Sequence, residues 1–201
     1  MTLEPLVRGH VDRVRHMTTL DDLVRLCPPP AEPPPAVDWT QAERALGSGL
    51  PSDYKRLVET YGDGVFDETV WLLVPDSAHD DCDLFAQAAE REEILGQLWA
   101  AGEERPAHLL EEGARVLPWA HEEGTGAFLY WLVRPGQDPD AWTVLYNEGR
   151  GPLWEHHDTG CLAFLLSVLD GTARTEYFGY LYEVLKPSVH RFTTADEALG
   201  T

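Results

Sequence analysis

Basic residues are scarce in this chain of 201 residues: fifteen Lys and Arg stand against thirty-five Asp and Glu, a formal net charge of −20. A field of that sign repels phosphate backbones and anionic lipid headgroups, so neither nucleic acid nor a membrane surface is an expected partner. Long apolar runs are missing too, and with no stretch of about eighteen apolar residues no helix is expected to span a bilayer. Cysteine is reduced to Cys27, Cys82 and Cys161, an odd number without a Cys-x-x-Cys pair. That excludes a disulfide framework and suits buried, reduced thiols in a reducing compartment. The opening residues Met1-Thr2-Leu3-Glu4-Pro5 lack the basic-then-apolar order of a secretory signal. The expected location is the cytoplasm.

What is present is enough apolar material for a core: 43% apolar residues, with seven Trp. The acid is unevenly spread. Residues 1–61 carry a balance of −2 and residues 124–201 a balance of −5, whereas residues 62–123 hold sixteen acids against Arg91, Arg105 and Arg115. Such a stretch speeds encounter with a basic protein, although excess acid also serves solubility.

Four segments follow from the punctuation of the chain. Leu20, Leu23, Val24 and Cys27 recur at helical spacing behind Thr19, so residues 1–27 read as an N-terminal helical extension. Residues 28–36 contain six prolines and read as an extended spacer. The principal domain spans 37–171, and 172–201 reads as a C-terminal extension with a helix over Tyr177, Phe178, Leu181, Tyr182 and Leu185. Within the domain, Asp38 caps a helix over Thr40–Leu46, and Pro51 opens another carrying Tyr54, Leu57, Val58 and Tyr61 on one face. Val70–Val74 reads as a strand. Asp81–Ala100 reads as a longer helix with Glu90, Arg91, Glu92 and Glu93 in water. Val116–Trp119, Ala127–Val133, Trp142–Asn147 and Leu153–His156 are strand-like runs parted by short turns, which demands antiparallel pairing. Leu162–Leu169 reads as a buried helix. The expected class is α+β: an antiparallel sheet of about four to six strands flanked by helices.

Catalytic patterns are thin. In Glu155-His156-His157-Asp158 the adjacent histidines on a strand point to opposite faces, which argues against a shared metal and for a polar strand end. His79-Asp80-Asp81-Cys82-Asp83 lacks the ligand spacing of a calcium loop and reads as an acidic helix N-terminus. His121-Glu122-Glu123 has no second His on the next helical turn, and Gly124-Thr125-Gly126 has no following Lys. No nucleophile, metal or cofactor is expected.

Trp39, Ala42-Glu43, Leu46-Gly47, Leu50-Pro51-Ser52-Asp53-Tyr54 and Tyr61-Gly62-Asp63-Gly64-Val65-Phe66 follow one another at the start of the domain. This order resembles the opening signature of the SUKH superfamily, which includes the fungal cell-wall assembly regulator and many bacterial immunity proteins. Leu117-Pro118-Trp119, the Gly124–Gly126 turn and the Leu162–Leu169 helix are similar to later parts of that pattern, so the resemblance covers roughly 37–171. It implies a SUKH-like α+β binding module without catalytic residues or cofactor, whose bacterial members occupy and neutralise a toxin, often a nuclease. Trp39, Gly47, Leu50, Pro51, Tyr54, Tyr61, Gly62 and Gly64 carry the signature as core and turn residues, with Trp39 and Tyr54 expected in the core. The reading is a non-catalytic immunity protein for a basic toxin domain, with Asp76, Asp80, Asp81, Asp83, Glu122 and Glu123 as the partner-binding acids. The alternatives are an intracellular scaffold or regulator of the cell-wall assembly regulator type and, more distantly, a metal-dependent enzyme built on His156 or His157.

Overall fold

In the computed structural model, which describes residues 19–149, 152–175 and 189–200, helices begin and stop where the sequence punctuates them. Helix α1, residues 19–26, ends before Pro28 and buries Leu23 and Cys27 completely. Asp38 accepts a hydrogen bond from the Gln41 amide (3.0 Å) and opens α2, Trp39–Leu46. Pro51 precedes α3, Ser52–Tyr61, which buries Tyr54, Leu57, Val58 and Tyr61. Helix α4, Leu84–Ala100, starts at Asp83, whose carboxylate accepts from the Ala86 amide at 2.7 Å. A turn of 3-10 helix, Asp80–Cys82, occupies the place where the long helix was expected to begin. Helix α5, Cys161–Leu169, is nearly all apolar and correspondingly buried.

The strands are β1 (Gly64–Phe66), β2 (Val70–Leu72), β3 (Arg115–Glu122), β4 (Phe128–Val133), β5 (Thr143–Asn147), β6 (Trp154–His157) and β7 (Phe192–Thr194). They form one antiparallel sheet in the order β6-β5-β4-β3-β2-β1-β7. The first six make a meander. The seventh returns from the far end of the chain to pair outside β1, with Phe66 opposite Phe192. The class is α+β as the sequence implies, with seven strands rather than four to six.

Helices cover both faces. On one, Tyr54 of α3 meets Trp131 of β4 edge-on at 4.8 Å, and Phe164 of α5 meets His157 of β6 at 4.5 Å. On the other, α4 crosses β3, and its Arg91 guanidinium lies 4.5 Å from the Phe128 ring. Arg91 was expected to face water; its stem and head instead cover an aromatic ring. One buried carboxylate ties the first face together. Asp53, 7% exposed, accepts from the Tyr54 amide (2.8 Å) in α3 and from the Leu162 amide (3.3 Å) in α5. Orphan donors of two helix N-termini are satisfied by a single side chain.

Three segment assignments change. The proline tract, expected as an extended spacer, bends at Ala31-Glu32 and is packed down: Pro34 lies so close to Gly62 that a Cβ there would meet its ring carbon at 2.7 Å. The Tyr61 hydroxyl, donating to the Cys27 carbonyl at 2.6 Å, anchors the start of the tract. The helix before it and the strand after residue 171 both belong to the main core, because Leu23, Cys27 and Phe192 pack in it. The helix expected across Tyr177–Leu185 lies outside the described residues. Among those residues no helix is long and apolar enough to cross a membrane.

Candidate functional site

The acids are organised by the β7–β1–β2 side of the sheet. The connection from β1 to β2 is Asp67-Glu68-Thr69; Asp67 and Glu68 have positive φ (49° and 55°), and the Thr69 amide donates to the Phe66 carbonyl at 2.9 Å. A hairpin of this hand normally places Asn or Asp and then Gly there, so Glu68 sits in a conformation that costs a β-carbon energy. Asp67 is held on both sides. Its carboxylate lies 2.7 Å from His190 Nδ1 and accepts from the Arg191 amide at 2.8 Å, which fastens β7 to the hairpin. Glu68 is left exposed.

The end of β3 arrives beside this hairpin, with Val70 opposite Glu122. Glu122 is 4% exposed and accepts from the Tyr146 hydroxyl (3.0 Å) and the Thr125 hydroxyl (3.1 Å). It is a buried support, which corrects its expected place in a binding surface. Glu123 is exposed and accepts from the Trp71 indole N–H. The Trp71 ring stacks on His121 (6.1 Å between centroids, 9° between planes), and His121 Nε2 lies 3.2 Å from the Asp81 carbonyl. Val65, Trp71, Cys82 and Ala195 bury one another in a small second core beneath. By this chain of contacts the Asp80–Cys82 turn is pinned next to the β3 end, and Asp81 and Glu123 both lie beside His121.

Two other expected acids serve differently. Asp83 is half-buried as the cap of α4, so its charge is committed to a helix N-terminus. Asp76 is exposed with φ 58° and lies past the other end of β2. There it joins Asp63, which accepts from the Ser77 hydroxyl, and Asp196, whose Oδ1 lies 2.9 Å from His79 Nε2. Residues 62–83 contain seven acids and no Lys or Arg, and residues 189–200 bring Asp196 and Glu197 against Arg191 alone. The sequence reading missed Asp67, Glu68 and Asp196. Two acids between the apolar triplets 64–66 and 70–72 were a usable hairpin signal; nothing local announced Asp196.

The signature residues take structural places. Tyr54, Tyr61, Leu50 and Pro51 are buried, Gly47 and Gly62 end helices, and Gly64 starts β1. Trp39 is only half-buried, edge-on to Tyr54 at 6.0 Å with its N–H donating to Glu59 at 2.8 Å, which corrects its expected burial. Trp142 and Trp154 form no exposed aromatic surface, since Trp142 is 3% exposed and Trp154 packs half-buried on Tyr130.

Reactive chemistry has little support in the described residues. Burial, with help from nearby carboxylates, pushes the Cys27 and Cys82 thiols up to about 12 and Cys161 well above the ordinary thiol range, so none is a ready nucleophile. His156 and His157 diverge as their strand requires: His156 meets Thr143 (2.9 Å) and the His108 ring (4.3 Å), His157 meets Phe164. No group of three or more His, Cys, Asp or Glu side chains among the described residues is arranged to hold a metal ion.

The histidines do set a pH response. Burial lowers the pKa of His121 against the pull of the Asp81 carbonyl and Glu123, that of His156 together with the facing His108, and that of His157 against Glu155. All three are harder to protonate in the fold than in an unfolded chain, where imidazole titrates near about 6.5. Unfolding therefore takes up protons, and this stability is complete above about pH 6.5 and lost as pH falls through the lowered folded values. Urea midpoints should drop between about pH 7.5 and about pH 5.5, a window above the ordinary carboxylate range. His121→Gln combined with His156→Gln should flatten that slope; a midpoint indifferent to pH in the parent protein would show these rings are not held neutral.

Comparison with known proteins returns no match, whether to a protein-family model, a curated protein or a solved structure.

Proposed function

We propose that this chain is a non-catalytic, SUKH-like immunity protein that acts in the cytoplasm by occupying a basic toxin domain. The observation that supports this reading best is the convergence on one side of the sheet: residues 62–83, the β3 end and residues 189–200 pool exposed carboxylates, and within these segments Arg191 is the one Lys or Arg. Acids recruited from the middle and the C-terminal end of the sequence, on a strand scaffold, make a surface that a nuclease built for a polyanion would accept in place of its substrate. The signature residues that carry the SUKH resemblance occupy core and turn positions, which suits a module whose binding surface varies on a constant frame.

The test uses the exposed acids alone and leaves Asp83 and Glu122 untouched. Glu68→Lys, Asp80→Lys and Asp81→Lys together should slow association with a toxin encoded beside this reading frame by about tenfold or more at low salt and flatten its salt dependence. Thermal stability should change little, since exposed charges contribute only about 0–1 kcal/mol to folding. Cell survival under toxin expression gives the biological readout. Unchanged survival and unchanged association rates would remove the acidic side from the mechanism and return the scaffold reading to first place.

A further inference from the structure

A cleft of about 460 Å³ opens between the proline tract and the loop that follows β2. Its apolar surfaces come from Pro33, Pro34, Pro35, Pro75 and Tyr61, and its carboxylates from Glu32, Asp38, Asp63, Asp76 and Asp196. Among the described residues no Lys or Arg lines it, and the one imidazole that does, His79, is turned toward Asp196. Three of the acids are engaged: Asp38 caps α2, Asp63 takes the Ser77 hydroxyl, and Asp196 meets His79. The carboxylates of Asp76 and Glu32 are exposed, and neither has a hydrogen bond within the described residues. The walls are stiff, because proline has φ already fixed and the tract is held at Gly62 and Tyr61.

We infer that this cleft seats an arginine side chain of a basic polypeptide partner, an assignment that rests on the toxin-binding reading and locates one anchor of it. An arginine stem is apolar and packs on proline and tyrosine faces, while its planar head offers a fork of donors to carboxylates. An anionic or wholly apolar occupant would offer no donor to Asp76 and Glu32, and an anionic one would be repelled by all five carboxylates. The volume lies within the usual range of ligand sites, about 300–1,000 Å³, and exceeds what one side chain needs, so flanking residues of the partner enter with it. Preformed walls mean little is lost to ordering on binding. The proline tract is thereby a wall of the binding site.

The probe is a fluorescently labelled tetra-arginine peptide, read by anisotropy at physiological ionic strength. Asp76→Asn with Glu32→Gln removes the two unengaged charges from the cleft, and asparagine tolerates the positive φ at position 76. Asp80→Asn with Asp81→Asn removes two charges from the exposed turn outside it. The cleft pair should weaken peptide binding by about tenfold and the turn pair by about twofold at most, since only the first removes direct partners of the guanidinium. Ala78→Leu, which narrows the cleft without changing charge, should weaken binding as well. Equal losses from both charge pairs, with Ala78→Leu neutral, overturn the assignment and leave diffuse attraction. If the cleft variants bind tetra-arginine as the parent does while the Lys reversals still abolish toxin survival, the cleft is wrong and the toxin reading stands. If the cleft holds tetra-arginine while neither set of variants alters survival, the cleft stands and the toxin reading falls.

Discussion

Tyr54→Ala should cost about 3–5 kcal/mol of stability, a large share of the roughly 5–15 kcal/mol that holds a domain of this kind together. The ring is fully buried, edge-on to Trp131 at 4.8 Å, and its hydroxyl donates to the Leu73 carbonyl at 2.5 Å. Burial pushes the hydroxyl well above its ordinary pKa, so it remains a donor throughout the accessible range. Truncation removes the contact between α3 and the sheet centre and strands a carbonyl in the same step. Tyr54→Phe isolates the second loss, about 1–3 kcal/mol for an unsatisfied buried acceptor. Trp39→Ala should cost less, about 1–2 kcal/mol, because that ring is half-exposed and its N–H partner Glu59 can turn to water. Urea denaturation of the three variants checks the order. Equal losses at positions 39 and 54 would mean that the two aromatic rings are equally placed in the core, contrary to their exposures.

Gly64→Ala carries the second large effect, about 2–4 kcal/mol from overpacking added to an unfavourable backbone region. Gly64 has φ 154°, and a Cβ there would stand 2.3 Å from the Thr193 carbonyl oxygen and 2.6 Å from the Phe192 ring. Both contacts belong to β7, so the substitution should lever that strand off β1 before it disturbs the meander. Amide exchange is the discriminating measurement: protection should vanish at residues 64–66 and 192–194 and persist through β3–β5. Loss of protection across the whole sheet would mean that β7 and the meander form one cooperative unit. Undiminished protection at 192–194 would place β7 elsewhere.

The meander was readable because β4 and β5 carry dense runs such as Phe128–Val133 and Thr143–Asn147, bounded by glycine and proline turns. Their short connections leave antiparallel pairing as the only option. Helix α3 announced itself by proline at one end, glycine at the other and four apolar residues on one face. Strand β7 was not readable for the opposite reason. It is three residues long, and its pairing is decided by β1, more than a hundred residues upstream. Composition located the acid correctly between residues 62 and 123 but could not sort it. Whether a carboxylate faces water, as Asp80 does, caps a helix, as Asp83 does, or is buried under a tyrosine hydroxyl, as Glu122 is, depends on neighbours the local pattern does not name. Asp53 shows the same limit, for its second helix lies 109 residues downstream.

The late return of β7 has a consequence for the timing of synthesis. The hairpin acids Asp67 and Glu68 are made early, yet the strand that fixes their turn through His190 and Arg191 follows about 124 residues later. At about 5–20 residues per second a ribosome leaves β1 with a bare edge for several seconds or more, ready to pair with another nascent chain. Closing so long a loop is also entropically slow compared with zipping the meander. The acidic side is complete only after the ribosome has passed residue 194, so the delay between message and a finished surface is set by elongation as well as by abundance. A ribosome stalled after β6 has emerged but before residue 194 leaves a chain whose meander can form while its acidic side is unfinished.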